Sequence, residues 1–406
     1  MTEEILRQFN PWWEREYESP GIPRPDYIRK IRDALARQNV AILYGLRRVG
    51  KTTIMRQFVA QTLGTLPPDR IYFASMDHPD LGRTSIIEIL REFRRITSAR
   101  TDEKVLLLLD EVQHRKGFEK EIKAIVDMDE KVQIIASGSS SLALAHASPY
   151  LTGRYSRVPA RPLSFLEFIS FRAQKYLEHE PQLMEALMDE YLVTGGMPKY
   201  VMTGDPLIIT EIIEDVIYKD IYGQYEIQDP QLLKELYYLL MVRVGKPLSF
   251  RKMGRLIDMS VDTARRYVGY FQEAFLIDVV EREGSPNVRK ASPRKCYAPD
   301  TGIRAVIAGE SNIGSLAENA AYLKLKEEGP VRYLSEKNGE IDFLIGGKAV
   351  EVKYWDRVEK EQIPYLVKFK GRQVKDKIVV SRRVSPDIGR IKNVPLWRFL
   401  VDERER

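Results

Sequence analysis

Apolar and polar positions alternate most clearly in the stretch GEIDFLIGGKAVEVKYW, residues 339 to 355. Two runs with a period of two flank Gly346 and Gly347, a pair that is typical of a two-residue hairpin turn. Pairing outward from this turn places Asp342 opposite Glu351. The apolar residues expected to share the other face, and so to fix the register, are Ile341, Phe343, Ile345, Val350 and Val352. The pattern therefore predicts a hairpin in which two carboxylates oppose each other.

These opposed carboxylates require a positive partner, because like charges at a cross-strand pair are destabilising. Lys353 lies two residues beyond Glu351 and returns to the acidic face. One interpretation is that Lys353 only neutralises a solvated pair. The other is a divalent-metal site with a catalytic lysine, and the pattern alone leaves both open.

Continuous apolar runs in the amino-terminal half have the composition of strands buried on both faces. They are residues 40–44, 105–109 and 132–136. Segments with helical periodicity separate them, so the pattern predicts an α/β domain built on a parallel sheet.

A glycine-rich loop follows the first of these strands and precedes an amphipathic helix. It matches G-x-x-x-x-G-K-[ST], the phosphate-binding loop, in the structural context that the motif requires. Backbone N–H groups of such a loop surround the phosphates, Lys51 would reach the β- and γ-phosphates, and Thr52 would offer its hydroxyl to Mg²⁺. The residues expected to contact ATP here are Gly45, Arg48, Gly50, Lys51, Thr52 and Thr53.

Acidic and polar residues follow the second and third strands, at the edge of the sheet where ligands bind. Asp110 is expected to complete the Mg²⁺ shell and to contact the nucleotide site, and Glu111 to polarise the attacking water. Ser139 is either a γ-phosphate sensor or a loop serine without a role. Arg154 is the arginine expected to reach a neighbouring subunit as an arginine finger.

The middle of the chain is helical, with breaks at Gly195, Gly196 and Pro198, and it is expected to form a lid. Ser249 and Ser260 can cap the two helices of a helix-turn-helix with a following wing. The residues expected to contact DNA are Arg265, Arg266, Arg289 and Lys290, with Tyr267, Arg294 and Lys295 beside them. A protein-binding or interdomain role for this module stays open.

Several quoted motifs together resemble one family. They are GLRRVGKTT, LLLLDEVQ, ASGSSSLAL, LTGRY and LVTGGMPKYV, and they resemble the AAA+-type ATPases of archaea and bacteria that carry a carboxy-terminal domain of unknown function. The resemblance covers most of the chain. It implies an ATPase that forms homo-oligomers, of the hexameric-ring kind, coupled to a DNA-related or regulatory domain.

The carboxy-terminal segment resembles the PD-(D/E)xK nuclease superfamily. A helix carries Glu318, a strand carries Asp342, and the paired strand carries Glu351 and Lys353, while Ile341 stands at the proline of the family motif. The resemblance implies phosphodiester cleavage with Mg²⁺ or Mn²⁺ held by Asp342 and Glu351, and with Lys353 acting on water or phosphate. A nuclease-like fold that is kept only for binding stays open.

Composition adds limits to this interpretation. The chain has 406 residues, a formal net charge of +6 and a single cysteine. The charge permits nucleic-acid contact, and one cysteine excludes an internal disulfide framework and a cysteine zinc cluster. No apolar run has the length of a membrane span and the start is too polar for a signal peptide, so a cytoplasmic protein is expected.

The predicted fold is an α/β P-loop NTPase with a helical lid, a winged helix-turn-helix and a restriction-endonuclease-like α/β domain. The predicted boundaries are 1–35 for an amino-terminal segment, 36–175 for the ATPase, 176–230 for the lid, 231–300 for the winged helix and 301–406 for the nuclease-like domain. The predicted function is ATP-dependent DNA processing with metal-dependent cleavage. The alternatives are a nucleotide-switched regulator or a DNA motor without cleavage.

Overall fold

The computed structural model describes residues 3–128, 131–139, 153–227, 229–371 and 374–401. The chain divides into two compact units, Met1–Arg161 and Pro162–Arg406. In the part of the chain described, no helix is both long enough and apolar enough to cross a bilayer.

The first unit is built on a parallel sheet. Its helices are α1 (Glu3–Phe9), α2 (Pro25–Arg37), α3 (Lys51–Thr62), α4 (Pro79–Arg83), α5 (Ile86–Thr97) and α6 (Phe118–Met128). Its strands are β1 (Val40–Tyr44), β2 (Ile71–Ser75), β3 (Val105–Asp110), β4 (Val132–Gly138) and β5 (Tyr155–Pro159), in the order β2-β3-β4-β1-β5. All pairs in this sheet are parallel. The α/β prediction is therefore confirmed, and the apolar runs lie in β1, β3 and β4.

The amino-terminal segment protects the edge strand β2. The Asn10 side chain donates from Nδ2 to the Phe73 carbonyl at 2.9 Å, and its Oδ1 accepts from the Phe73 N–H at 2.7 Å. The indole N–H groups of Trp12 and Trp13 both donate to the Ile71 carbonyl at 3.0 Å. An unpaired edge is a template for association with another strand. The residues before β1 therefore cover the β2 edge of the sheet and belong to the first unit.

The second unit contains a mixed sheet and the remaining helices. Its helices are α7 (Phe165–Phe171), α8 (Pro181–Thr194), α9 (Pro198–Thr203), α10 (Leu207–Glu214), a π-helix (Asp215–Ile221), α11 (Pro230–Val242), α12 (Phe250–Leu256), α13 (Val261–Glu273), α14 (Pro286–Ala291), α15 (Thr301–Ala308), α16 (Ile313–Leu325), α17 (Pro364–Lys368) and α18 (Leu396–Phe399). Its strands are β6 (Asp278–Arg282), β7 (Lys295–Tyr297), β8 (Arg332–Glu336), β9 (Gly339–Ile345), β10 (Lys348–Val352), β11 (Asp376–Ser381) and β12 (Lys392–Pro395), in the order β12-β11-β10-β9-β8-β6-β7.

One sheet thus runs through the stretches predicted as a winged helix and as a nuclease-like domain. Strand β6 pairs antiparallel with β7 and parallel with β8. Ser249 and Ser260 cap α12 and α13 as expected, since their hydroxyls accept from the N–H groups of Lys252 and Thr263. Tyr267 is buried on α13. It lies beside Arg266 on this helix, as expected, with its ring centre 6.0 Å from the Arg266 guanidinium, but the apolar face of α13 turns its side chain inward.

The turn between α8 and α9 is fixed by a buried carboxylate. Asp300, only 1% exposed, accepts hydrogen bonds from the Gly196 N–H at 2.6 Å and the Ile303 N–H at 3.0 Å. A Cβ at Gly196 would lie 2.3 Å from the Leu163 carbonyl oxygen. The predicted helix break is therefore confirmed, and its cause is close backbone packing.

The β9-β10 hairpin has the predicted register near its turn but departs from regular alternation further out. Phe343 pairs with Val350. On the opposite side of β9, Arg332 pairs with Leu344 and Leu334 pairs with Ile341, so that β9 uses one more residue than β8. Such a bulge shifts the alternation of side chains.

The expectation that Ile341 and Phe343 share a face is therefore wrong. Ile341 packs in a cluster with Ala349 and other apolar residues. Phe343 instead packs against the rings of Tyr297 and Tyr322, with centroids 5.6 and 6.2 Å away. Asp342, next to Phe343, lies at this irregularity.

Candidate nucleotide site and carboxylate cluster

The loop between β1 and α3 needs glycine at both motif positions. Gly45 has φ 151°, and a Cβ there would lie 2.0 Å from the Ala160 carbonyl oxygen. Gly50 has φ 94° and caps the start of α3. These are backbone conformations that other residues rarely adopt. The loop therefore has the close-packed form in which backbone N–H groups can surround phosphates.

Lys51 and Thr52 begin α3 and reach the end of β3. The Lys51 ammonium donates to the Gly45 and Leu46 carbonyls at 3.0 and 3.1 Å. The Thr52 hydroxyl donates to Asp110 Oδ2 at 2.6 Å. A hydroxyl and a carboxylate oxygen in contact are ligands that suit Mg²⁺. The residues predicted for the Mg-ATP site are thus brought together by the strand order.

Asp110 is held by a small network. Burial raises the pKa of its carboxyl, and hydrogen bonds from Ser137 and Thr52 act in the opposite direction. A buried carboxylate of this kind favours a cation beside it, because the cation restores the lost solvation of its charge.

Glu111 lies in a strained position beside the predicted sensor. Its φ is 50°, and its carboxylate accepts from the Gln113 side chain and, at 3.3 Å, from the Ser139 hydroxyl. Gln113 also donates to the Ser139 oxygen at 3.1 Å. Strain of this kind is common at functional sites. The sequence analysis did not identify Gln113, although the DEVQ motif contains it.

A cavity of about 510 Å³ adjoins these acidic residues. Thr52, Asp110 and Glu111 line one side of it. Arg47, Arg56 and His114 also line it, and none of the three was assigned a role from the sequence. The guanidinium groups of Arg47 and Arg56 suit a ligand with several negative charges.

Three further residues with predicted roles in the nucleotide site are Arg48, Thr53 and Arg154. Arg48 is exposed with φ 63°, and Thr53 lies beside Gly21, whose Cβ would be 3.4 Å from its methyl group. Arg154 Nε donates to Asp127 Oδ1 at 3.0 Å within the same chain. A role of Arg154 toward another subunit stays a prediction.

The carboxy-terminal acidic residues form a second site, the carboxylate cluster. We define it as Glu318, Glu340, Asp342 and Glu351 with Lys295 and Lys353. Asp342 Oδ2 accepts from the Val352 N–H at 2.8 Å, so the Asp342 side chain bridges the hairpin. Lys353 donates to Glu351 Oε1 at 2.7 Å, and the Tyr297 hydroxyl donates to Glu318 Oε1 at 2.7 Å. The residues predicted from the nuclease resemblance therefore lie together.

The electrostatics of this cluster are those of acids in mutual contact. Burial raises the pKa of Glu318 and of Glu351, and the charge of Asp342 raises both further. Burial alone lowers the pKa of Lys353, but the Glu351 and Asp342 carboxylates outweigh it and leave it raised. When all of its acids are ionised, the cluster thus holds more negative charge than its own lysines neutralise.

Lys295 belongs to the cluster, although its sequence position predicted a different place for it. It was expected on the DNA-facing wing, which is wrong, because it is only 1% exposed. Its ammonium contacts Glu340 and lies 3.7 Å from Glu318 Oε1. Neighbouring carboxylates hold the pKa of Lys295 above its usual range despite burial. Strand β7 carries Lys295 into the unit because it pairs with β6.

One oxygen of this cluster is suited to bind a cation. Glu351 is 8% exposed, and its buried Oε2 has no hydrogen-bond partner among the residues that the structure describes. An orphaned anionic oxygen is costly unless a cation or donor occupies the space beside it. As the side chains stand, no three His, Cys, Asp or Glu residues among those described form a metal cluster. Asp342 and Glu351 are two suitable ligands, and Glu318 is turned toward Tyr297 and Lys295.

The predicted DNA contacts lie mainly at the surface. Arg265, Arg266 and Lys290 are exposed, and Arg289 is half-buried. The Arg265 guanidinium lies 5.8 Å from the centre of the Phe250 ring. These positions permit contact with a partner, and the DNA role stays a prediction.

Two protein-family profiles match separate parts of the chain. The first, described as an AAA domain, matches residues 37–169. The second, a domain of unknown function (DUF8612), matches residues 185–313. The chain therefore contains an AAA-type P-loop ATPase domain followed by a carboxy-terminal domain of unknown function.

Relatives extend this likeness beyond the ATPase domain. An uncharacterised protein of Methanocaldococcus jannaschii is 25% identical over 342 residues, which are 80% of this chain and 76% of that protein. An uncharacterised protein of Haemophilus influenzae is 25% identical over 356 residues, or 82% of this chain and 86% of that protein. A solved Walker-type ATPase of Pyrococcus abyssi aligns with 73% of this chain and 99% of its own, with 13% identity and a TM-score of 0.44.

Proposed function

We propose that the protein is an ATP-dependent DNA-processing enzyme, in which Mg-ATP hydrolysis is coupled to DNA binding and to metal-dependent phosphodiester cleavage. The observation that carries the ATPase part is the contact between Thr52 and Asp110 at the mouth of a glycine-rich loop. The hydroxyl and carboxylate would hold Mg²⁺, which supplies charge neutralisation at the phosphates. Lys51 would exchange its two carbonyl partners for phosphate oxygens.

The other residues of the nucleotide site have distinct roles in this proposal. Glu111 accepts a proton from, or orients, the attacking water, and Ser139 and Gln113 hold its carboxylate in place. Arg154 leaves Asp127 to stabilise charge in the site of a neighbouring subunit, so the active form is a homo-oligomer, of the hexameric-ring kind. Arg48 and Thr53 lie in or next to the loop and contact the nucleotide.

ATP turnover tests this part directly. We expect Lys51→Ala to lose ATP binding and hydrolysis, and Glu111→Gln to bind ATP but hydrolyse it at least about a hundredfold more slowly. Lys104→Ala, which changes an exposed lysine in the same unit, is the matched control and should behave as wild type. Equal turnover in wild type and Glu111→Gln would contradict the assigned role.

The observation that carries the cleavage part is the orphaned Glu351 oxygen next to a second carboxylate. Asp342 and Glu351 would hold Mg²⁺ or Mn²⁺, which supplies a bound water of lowered pKa. Lys353 touches Glu351 and is placed to orient water or to stabilise charge on the attacked phosphate. Glu318 shapes the charge of the cluster from α16.

Cleavage is tested with end-labelled single-stranded, duplex and branched DNA in Mg²⁺ or Mn²⁺. Asp342→Asn and Lys353→Met should each abolish cutting and keep wild-type ATP turnover. The control Glu361→Gln changes an exposed acid of the same unit and should cut normally. Cutting by Asp342→Asn at the wild-type rate would refute the proposed site.

DNA is the proposed partner, held by phosphate contacts from Arg265, Arg266, Arg289 and Lys290. Removing one such contact should weaken binding about equally for all sequences and reduce the salt dependence by about one ion. The second candidate is a nucleotide-switched regulator whose carboxy-terminal unit only binds DNA or protein. The absence of a ready three-carboxylate metal cluster among the described residues favours it, and tight ATP retention with negligible turnover would support it.

A further inference from the structure

A lysine from outside the hairpin occupies one end of the carboxylate cluster. Lys295 belongs to β7, yet its ammonium contacts Glu340 and lies 3.7 Å from Glu318 Oε1. Lys295 is only 1% exposed, so water does not compensate the charge of its ammonium. Lys295 is therefore an internal cation of the cluster.

Glu318 is committed to this end of the cluster. Its Oε1 accepts from the Tyr297 hydroxyl at 2.7 Å. A Cβ built at Gly245 would lie 2.9 Å from each of its carboxylate oxygens, so the carboxylate packs directly against that backbone. The Glu318 carboxylate is thus fixed by a hydroxyl, an ammonium and a glycine.

At the other end of the cluster, one carboxylate oxygen of Glu351 has no hydrogen-bonding cation or other donor beside it among the described residues. Glu351 is 8% exposed, and while its Oε1 accepts from Lys353, its buried Oε2 meets no hydrogen-bond donor in the described part of the chain. Asp342 lies close enough that its charge raises the pKa of Glu351. The unmet need for positive charge is therefore at Asp342 and Glu351.

We propose that Lys295 takes the place of a second metal ion beside Glu318, so that the cluster binds a single divalent cation between Asp342 and Glu351. This inference rests on the metal site of the proposed function. Lys295 is a positioning residue in it, because it acts on Glu318 and Glu340.

The charges agree with this arrangement. Glu318, Glu340, Asp342 and Glu351 carry four negative charges when ionised, and Lys295 and Lys353 carry two positive ones. The difference of two is neutralised by one divalent ion. Without the Lys295 charge the deficit of the fully ionised cluster becomes three, and a second cation beside Glu318 would be favoured.

Mn²⁺ binding to the full-length, nucleotide-free protein tests the inference without reference to activity. Electron paramagnetic resonance of free Mn²⁺ gives the number of ions bound per chain. All proteins carry Asp110→Asn to remove the metal ligand of the ATP site. We expect one ion per chain in this background, one with Lys295→Arg, and two with Lys295→Met. Adding Asp342→Asn should weaken the first ion at least about tenfold.

Glu318→Gln gives an independent test should Lys295→Met fail to fold, as judged by circular dichroism. Because Lys295 and Tyr297 hold Glu318 away from the ion, this change should leave the stoichiometry at one. Loss of the bound ion would overturn the inference. So would two ions in the parent protein, or one ion in a folded Lys295→Met variant.

These failures are distinguishable from failure of the proposed function. Two ions that both depend on Asp342 would leave metal-dependent cleavage intact and would remove only the role of Lys295. No Mn²⁺ binding sensitive to Asp342→Asn would overturn the metal site and this inference together.

Discussion

The buried carboxylate of Asp300 makes the stability of the second unit depend on pH. Asp300 receives the Gly196 and Ile303 N–H groups at 2.6 and 3.0 Å. Burial nevertheless dominates and raises its pKa from 3.8 to about 6. Ionisation is therefore harder in the folded protein than in the unfolded chain.

The direction in which the stability changes with pH follows from the linkage between proton binding and folding. A carboxyl whose folded pKa is raised contributes stability that is fully present below its unfolded pKa and is lost as pH rises through the folded pKa. With values of 3.8 and about 6, the contribution falls by about 1.4 kcal/mol between about pH 5 and pH 8. Nearly all of this loss occurs below about pH 7.

Asp300→Asn isolates this effect, because an amide of the same shape does not titrate. Urea unfolding of both proteins, followed by tryptophan fluorescence, gives their difference in free energy of unfolding at each pH. We expect the advantage of wild type over Asp300→Asn to shrink by about 1.4 kcal/mol from about pH 5 to pH 8. Asp300→Ala should be destabilised at both, because the Gly196 and Ile303 N–H groups lose their acceptor.

A wild-type advantage that stays constant within about 0.5 kcal/mol would refute the reasoning. It would mean that the hydrogen bonds from the Gly196 and Ile303 N–H groups fully compensate the effect of burial on the pKa of Asp300. Comparison with the variant matters here, since Glu318 and Glu351 also have raised pKa values and contribute to the pH dependence of both proteins.

Three further changes test other parts of the account. Gly45→Ala should weaken binding of a fluorescent ATP analogue at least about tenfold, because its Cβ would meet the Ala160 carbonyl at 2.0 Å; unchanged affinity would contradict the loop geometry. Asn10→Ala should lower the free energy of unfolding of the first unit by roughly 2–4 kcal/mol, because it leaves the Phe73 N–H and carbonyl unpaired, and a loss below about 1 kcal/mol would show that water replaces it. Arg154→Ala should lower the ATPase kcat about a thousandfold at unchanged ATP affinity, whereas Asp127→Ala should not; equal rates would exclude an arginine finger.

The nucleotide site could be predicted from sequence because it depends on local rules. A short apolar strand, glycines at two strained positions and a following helix fix where Lys51 and Thr52 lie. Parallel strand order then brings Asp110 to the same edge. Gln113 was missed because a glutamine two residues after an acidic residue has no distinctive spacing.

The second unit shows where local rules stop. The pairing of Phe343 with Val350 followed from the turn, but the extra residue of β9 depends on how β8 pairs with it. Lys295 stands beside Arg294 in a basic stretch that is typical of a surface wing. Its burial follows from β6 joining the longer sheet through β8, a contact between segments far apart in sequence that no periodicity reveals.

The most direct test of the account is DNA cleavage measured with and without ATP in wild type, Glu111→Gln and Asp342→Asn. Wild type should cut DNA in Mg²⁺ or Mn²⁺, and it should cut faster while ATP is hydrolysed. Glu111→Gln should lose that acceleration but keep a functional cluster, and Asp342→Asn should hydrolyse ATP without cutting. No cleavage by wild type under any condition, or cleavage by Asp342→Asn equal to wild type, would contradict the central claim.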